Sequence, residues 1–241
     1  MDKVDLFCLP FGGGNKYSYR RYIENAPSFL NIITLDYPGR GSRMGEPLAP
    51  DIDTLLDDLY KQFIKLFNRK VYAIYGHSMG ALLGHLLTKK IIGHGHIPPV
   101  HLFLTGTTGP SAPSRGEKKR HLMERREFIE EVINLDAWEN KALENEEFVN
   151  YFEPILRADF RIVENYVYEE SDPFEIPLTV ITGTQEDMDM QEIHLWQKET
   201  KCAVDFLQMP GKHFFIFKYS REIMKIISKE LIKKHRLYNY G

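Results

Sequence analysis

Residues 76–80 read Gly76-His77-Ser78-Met79-Gly80, a serine with a glycine two positions away on either side. A serine hydroxyl is a weak nucleophile unless the backbone presents it and a base takes its proton. The flanking residues supply the presentation. Val71-Tyr72-Ala73-Ile74-Tyr75 is β-branched and aromatic and reads as a buried strand, while Ala81-Leu82-Leu83-Gly84-His85-Leu86-Leu87 is apolar and helix-compatible. Strand, G-x-S-x-G, helix is the context of a nucleophile elbow, a turn too sharp for bulky side chains two before and two after the serine. This places Ser78 in strained backbone with its Oγ above the sheet edge. The Met79 amide, in the first turn of the next helix, is then aimed at the oxygen of a bound carbonyl.

Such a serine needs a base and an acid to orient that base. Of the nine histidines, His213 directly follows a late strand (204–209) and the turn Pro210-Gly211-Lys212. It is the expected base. His194 reads as the surface of a helix around Trp196, His85 as packed or exposed on the helix after the elbow, and His235 as part of a basic tail. His94 and His96 lack a nearby third ligand, so no metal site is expected. The acid should come from the loop after a strand at 178–182, Gly183-Thr184-Gln185-Glu186-Asp187-Met188-Asp189. Asp187 is the preferred acid, with Glu186 and Asp189 as alternatives. A second oxyanion donor is expected from Pro10-Phe11-Gly12-Gly13-Gly14, the loop after the first strand. Phe11 is the favoured amide and Gly12 the alternative. The loop has no G-K-S/T, which argues against a phosphate-binding P-loop.

The elements that must hold these residues follow from periodicity. Strands are expected at 4–9, 32–35, 71–75, 100–104, 178–182 and 204–209, with helices at 55–66, from the elbow to about 92, and at 220–233. Alternation of strand and helix predicts a mainly parallel α/β sheet with helices on both faces. Between 117 and 168 there is no strand signal; Phe128, Ile129, Val132 and Ile133, then Phe148, Phe152, Ile155, Leu156 and Phe160, recur at helical spacing. This predicts a helical insertion at 109–171 that forms a lid over a core of 1–108 and 172–241.

Bulk properties exclude other classes. With 241 residues and 43% hydrophobic content, the chain can bury one sizeable core. A net charge of −3 gives no global pull toward nucleic acid or an anionic membrane. There is neither an apolar run of membrane-spanning length nor a secretory leader pattern. Cys8 and Cys202 read as core or strand residues, not a disulfide framework. A cytoplasmic protein is expected.

Five segments together resemble a known family. Cys8-Leu9-Pro10-Phe11-Gly12-Gly13-Gly14, Tyr37-Pro38-Gly39-Arg40-Gly41-Ser42-Arg43, Gly76-His77-Ser78-Met79-Gly80, Pro154-Ile155-Leu156-Arg157-Ala158-Asp159-Phe160 and Pro210-Gly211-Lys212-His213-Phe214-Phe215 occur in this order. They resemble the type II thioesterases of polyketide and nonribosomal peptide synthesis, and their relatives that release medium-chain acids from fatty acid synthase. The resemblance implies an α/β-hydrolase fold, Ser78 as nucleophile, His213 as base and a mobile helical lid. It also implies an acyl or peptidyl carrier protein as partner; the serine mechanism needs no metal or redox cofactor, and a monomer is expected. The chain departs from the family at Gly12, where alanine is usual, and at Lys212, where glycine is usual. Its acid loop is read as one residue longer than the common Gly-x-x-Asp. Arg157 and Asp159 are expected to pair within the lid. The basic run Arg115, Lys118, Lys119, Arg120, Arg125 and Arg126 is either a solvated face or a dock for an acidic carrier protein. A carboxylesterase or acyltransferase on the same fold, and a non-catalytic binding module, are the competing expectations.

Overall fold

The computed structural model describes residues 3–68, 71–135 and 145–239. Six strands, β1 Val4–Leu9, β2 Leu30–Thr34, β3 Tyr72–His77, β4 Leu102–Thr105, β5 Leu178–Gly183 and β6 Asp205–Met209, form one sheet in the order β2-β1-β3-β4-β5-β6. Every pairing is parallel. The helices are α1 Arg20–Glu24, α2 Ile52–Leu66, α3 Met79–Gly93, α4 Arg125–Asn134, α5 Glu146–Glu164, α6 Met190–His194, α7 Phe215–Lys218 and α8 Ser220–Asn239.

The central strands are buried from end to end, so alternate side chains feed two separate cores. Phe7, Leu9, Tyr72, Ile74, Leu102 and Leu104 face one core, covered by Leu55, Leu59 and Phe63 of α2 and by Leu83, Leu87 and Ile91 of α3. Leu6, Cys8, Ala73, Tyr75 and Phe103 face the other, covered by Tyr22 of α1 and by Ile223, Ile227 and Leu231 of α8. The order of strands reverses between β1 and β3. In a parallel sheet the crevice outside the carboxyl ends at such a switch point is where ligands bind. The loop after β1 and the elbow after β3 both open there.

Between β4 and β5 the described residues contain helix and loop but no strand. Helices α4 and α5 join through Phe128, Val132 and Leu156, with Phe160 against them. Glu164, at the end of α5, accepts from the Arg120 amide (3.0 Å) and bonds the His121 ring nitrogen Nδ1 (2.7 Å). Residues 136–144, part of the expected helical insertion, lie outside the described residues.

The basic run that opens this segment has partners within the chain, although Lys118, Lys119, Arg125 and Arg126 remain exposed. Arg115 donates to the Gly109 carbonyl (2.8 Å) and the Thr107 hydroxyl (2.6 Å). Lys118 and Arg120 both reach Glu131, at 3.2 and 3.0 Å, and Arg125 reaches Asn150 at 2.6 Å.

His101 illustrates what burial does to a titratable group here. It is 2% exposed, stacked on Phe103 and hydrogen-bonded through Nε2 to the Thr179 hydroxyl at 2.8 Å. Burial, reinforced by Lys234 and Lys233, pulls its pKa from 6.5 down to about 3. The folded state therefore holds the ring neutral where the unfolded chain would protonate it. Its contribution is complete above pH 6.5 and is lost as pH falls toward 3, at about 1.4 kcal/mol per pH unit. Chemical denaturation from pH 7 to 4 should show stability falling with this sign, and His101→Gln should flatten the slope. An unchanged slope in the variant would remove His101 as a source.

Candidate active site

Ser78 has φ 54° and ψ −116°, the one described non-glycine residue at positive φ. Such backbone costs on the order of 1–3 kcal/mol and persists only where its surroundings enforce it. The enforcement is visible on both sides. The Ser78 amide donates to the Thr105 carbonyl at 2.8 Å, and its own carbonyl accepts from Ala81 at 3.0 Å to start α3. A β-carbon on Gly76 would lie 2.1 Å from the Gly80 carbonyl oxygen, and one on Gly80 would lie 2.1 Å from that of Leu9. Only hydrogen fits at either position, as the elbow reading requires.

His213 follows β6 and a turn at Gly211, whose φ is +128°. Its Nδ1–H donates to Glu186 Oε1 at 2.6 Å, while Glu186 Oε2 accepts from the Gly183 amide at 2.6 Å. With Nδ1 committed to a carboxylate, Nε2 is the nitrogen left to accept a proton. The expected partner was Asp187; the carboxylate that the structure brings to His213 is instead that of Glu186. Asp187 is exposed, and Asp189 spends its carboxylate capping α6 through the Gln191 amide (2.8 Å). Counted from Gly183, Glu186 stands where Gly-x-x-Asp has its acid, so the loop carries no extra residue. Glutamate simply replaces aspartate.

Beneath His213 lies His77, whose part sequence reasoning missed. Its ring is fully buried, 4.7 Å from that of His213, and its Nδ1–H donates to the Thr105 hydroxyl at 3.0 Å. Burial, and then the nearby His213, hold its pKa well below the usual histidine value. A neutral ring is therefore what packs against His213. Its position inside the pentapeptide, next to the serine, was the available signal.

The Phe11 and Met79 amides, expected as oxyanion donors, both border the cavity that holds Ser78 and His213, and neither donates to a described residue. The Ser78 hydroxyl likewise has no hydrogen-bonded partner among the described residues. The cavity is a cleft of about 460 Å³, counting its solvent-open part. Val132, Leu135, Leu156, Phe160 and Val163 of the inserted helical segment form its apolar wall. Ser78 and His213 line the same cleft as this apolar wall.

Arg157 and Asp159 do not pair. Arg157 turns to Glu153 (2.9 Å) and to the Met123 carbonyl (2.8 Å). Asp159 turns inward to Arg40, in the loop after β2, with Arg40 Nη2 donating to Oδ1 at 2.6 Å and Nη1 donating to Oδ2. Residues i and i+2 on a helix point to different faces, so a mutual pair was geometrically disfavoured. The other departures are neutral. Lys212 is exposed without positive φ, and a β-carbon on Gly12 would meet Asp159 Cβ at an ordinary 3.7 Å.

Among the described residues no three His, Cys, Asp or Glu side chains are grouped to hold a metal ion, and no helix is long and apolar enough to cross a membrane.

The model of the thioesterase domain family matches residues 4–231. The gramicidin S biosynthesis protein GrsT of Aneurinibacillus migulanus is 29% identical over 95% of this chain and 89% of its own. A Brevibacillus parabrevis protein named linear gramicidin dehydrogenase LgrE is 32% identical over 95% of this chain and 88% of its own. In this chain the loop after β1, Gly12-Gly13-Gly14-Asn15-Lys16-Tyr17, lacks the third glycine of a dinucleotide fingerprint. The crystal structure of ClbQ from the colibactin NRPS/PKS pathway superimposes with a TM-score of 0.91 at 28% identity, covering 98% of this chain and 100% of that one. A parallel six-stranded sheet with a strained serine at its switch point, matched along nearly its whole length by the family's model, places this chain in the thioesterase domain family of the α/β-hydrolase fold.

Proposed function

We propose that this chain is a type II, editing thioesterase that removes acyl groups from the phosphopantetheine arms of carrier proteins in nonribosomal peptide or polyketide synthesis. The observation that carries the mechanism is that Glu186 holds His213 by a hydrogen bond, and His213 lines the same cavity as Ser78, itself at positive φ. The biosynthetic setting is supported by GrsT and by the ClbQ structure.

In this reading Ser78 Oγ attacks the thioester carbonyl and gives its proton to His213 Nε2. Glu186 holds the ring in the right tautomer and stabilises the imidazolium. The Phe11 and Met79 amides take the oxyanion. The carbon–sulfur bond breaks, His213 returns the proton to the departing thiolate, and the acyl group remains on Ser78. Water, deprotonated by His213, then releases the acid and restores the serine. Helices α4 and α5, within the expected insertion 109–171, act as a lid whose apolar face receives the acyl chain.

The test is turnover of a panel of acyl groups on a carrier protein, beside the matching oxygen esters. Faster hydrolysis of the carrier-bound thioesters is expected; a preference for the oxygen esters would favour a carboxylesterase instead. The acid assignment has its own test. Glu186→Gln should lower kcat about 10²–10⁴-fold by leaving the imidazolium unsupported, whereas Asp187→Asn should stay within about 3-fold of wild type. If Asp187→Asn is the more damaging of the two, Glu186 is not the triad acid.

A further inference from the structure

Asp159 occupies an unusual place for a carboxylate. It is 2% exposed, it stands in the wall of the catalytic cavity, and Arg40, 3% exposed, grips both of its oxygens. It makes one further bond, accepting from the Gly13 amide through Oδ2 at 2.7 Å. Gly13 belongs to the tight turn closed by the Gly14 amide on the Phe11 carbonyl at 2.8 Å. One turn of α5 earlier, Leu156 leans on the same residue: a β-carbon on Gly13, at φ +77°, would lie 2.8 Å from Leu156 Cδ2. The other end of the turn is tied as well, because the Tyr37 hydroxyl donates to the Pro10 carbonyl at 2.7 Å. Tyr37 and Arg40 share one loop, with the guanidinium 5.4 Å from the Tyr37 ring centre. Asp36 braces that loop by accepting from the Ser42 amide (2.9 Å) and hydroxyl (2.8 Å) and from the Lys16 amide (3.1 Å).

We propose that Asp159 is a positioning residue for the oxyanion loop and that Arg40 is the counter-charge that makes a carboxylate tolerable there. The proposal rests on the reading of the Phe11 amide as an oxyanion donor. Phe11 sits between the two anchored points, Pro10 and Gly13, so its amide is aimed from the lid side by Asp159 and from the core side by Tyr37. A bare carboxylate in this wall would oppose the negative charge that grows on the substrate oxygen, in surroundings that screen poorly. Bidentate pairing with Arg40 cancels that field while leaving Oδ2 free to take the Gly13 amide as well. Because Asp159 is on α5 and Arg40 and Gly13 are on the core, seating this helix and setting the oxyanion loop become one event.

The experiment measures kcat and KM on a small soluble acyl thioester, with melting temperature alongside, for Arg40→Met, Asp159→Asn and the double variant. Arg40→Met leaves the charge uncancelled and should lower kcat about 100-fold with KM within about 3-fold, the scale of losing an oxyanion donor. Asp159→Asn keeps an oxygen for Gly13 and should lose about 10-fold or less. The double variant is neutral and should regain about 10-fold over Arg40→Met, although it is no more stable. A purely structural latch predicts the opposite, a double variant as slow as Arg40→Met or slower, and that result overturns the proposal. Should Arg40→Met not fold, Asp159→Ala decides: loss of Gly13 amide protection in hydrogen exchange together with a fall in kcat supports it, and unchanged kcat overturns it. A wild-type protein without thioesterase activity would instead sink the reading of the site itself, before any variant is compared.

Discussion

Ser78→Ala is expected to abolish acyl-thioester hydrolysis, lowering kcat by about 10⁴–10⁶-fold, while the fold is kept. The hydroxyl is the only group at the elbow that can form the covalent intermediate, and alanine preserves the β-carbon and the backbone around it. The strain is not relieved, because φ 54° is as awkward for alanine as for serine. Melting temperature should therefore stay within a few degrees of wild type. Thioester turnover in the variant above about 1% of wild type would mean that another residue carries the chemistry.

Gly80→Ala should do the reverse, destroying the fold and activity only as a consequence. Its β-carbon would sit 2.1 Å from the Leu9 carbonyl oxygen and 2.6 Å from that of Pro10. These are backbone atoms of β1 and of the loop that leads to Phe11, and neither can swing aside as a side chain can. The loss should exceed about 4 kcal/mol, among the largest single-residue effects. The measurement is the denaturation midpoint, or the soluble yield if the variant never folds. By contrast Gly12→Ala, whose β-carbon has room, should be neutral or stabilise by about 0.5 kcal/mol through the unfolded state. A Gly80→Ala variant as stable as wild type would show that the elbow is not packed as described.

The contrast between these positions shows what a linear reading reaches. Local chemistry was readable: short apolar runs marked all six strands, and the two glycines around Ser78 announced a turn that only hydrogen permits. His213 was readable because one histidine stood at a late strand's carboxyl end. The short helices α1 and α7 were not singled out, since four or five residues carry too little periodicity to register. The choice among Glu186, Asp187 and Asp189 turned on which carboxylate faces His213, and three acids in one loop are chemically equivalent until the loop is folded. Arg40 and Asp159 lie 119 positions apart, so no local pattern could pair them. Adjacency on the helix suggested Arg157 instead, and helix geometry turned it the other way.

Ser78 must carry the acyl group if this chemistry holds. The direct measurement is to mix the protein with an acyl-carrier thioester, quench within the first turnover, and locate the acyl mass on the digested chain. The acyl group should be found on the peptide containing Ser78, should persist longer in Glu186→Gln, and should be absent from Ser78→Ala. Hydrolysis that proceeds with no acyl group ever on Ser78, or with the acyl group on another residue, would contradict it.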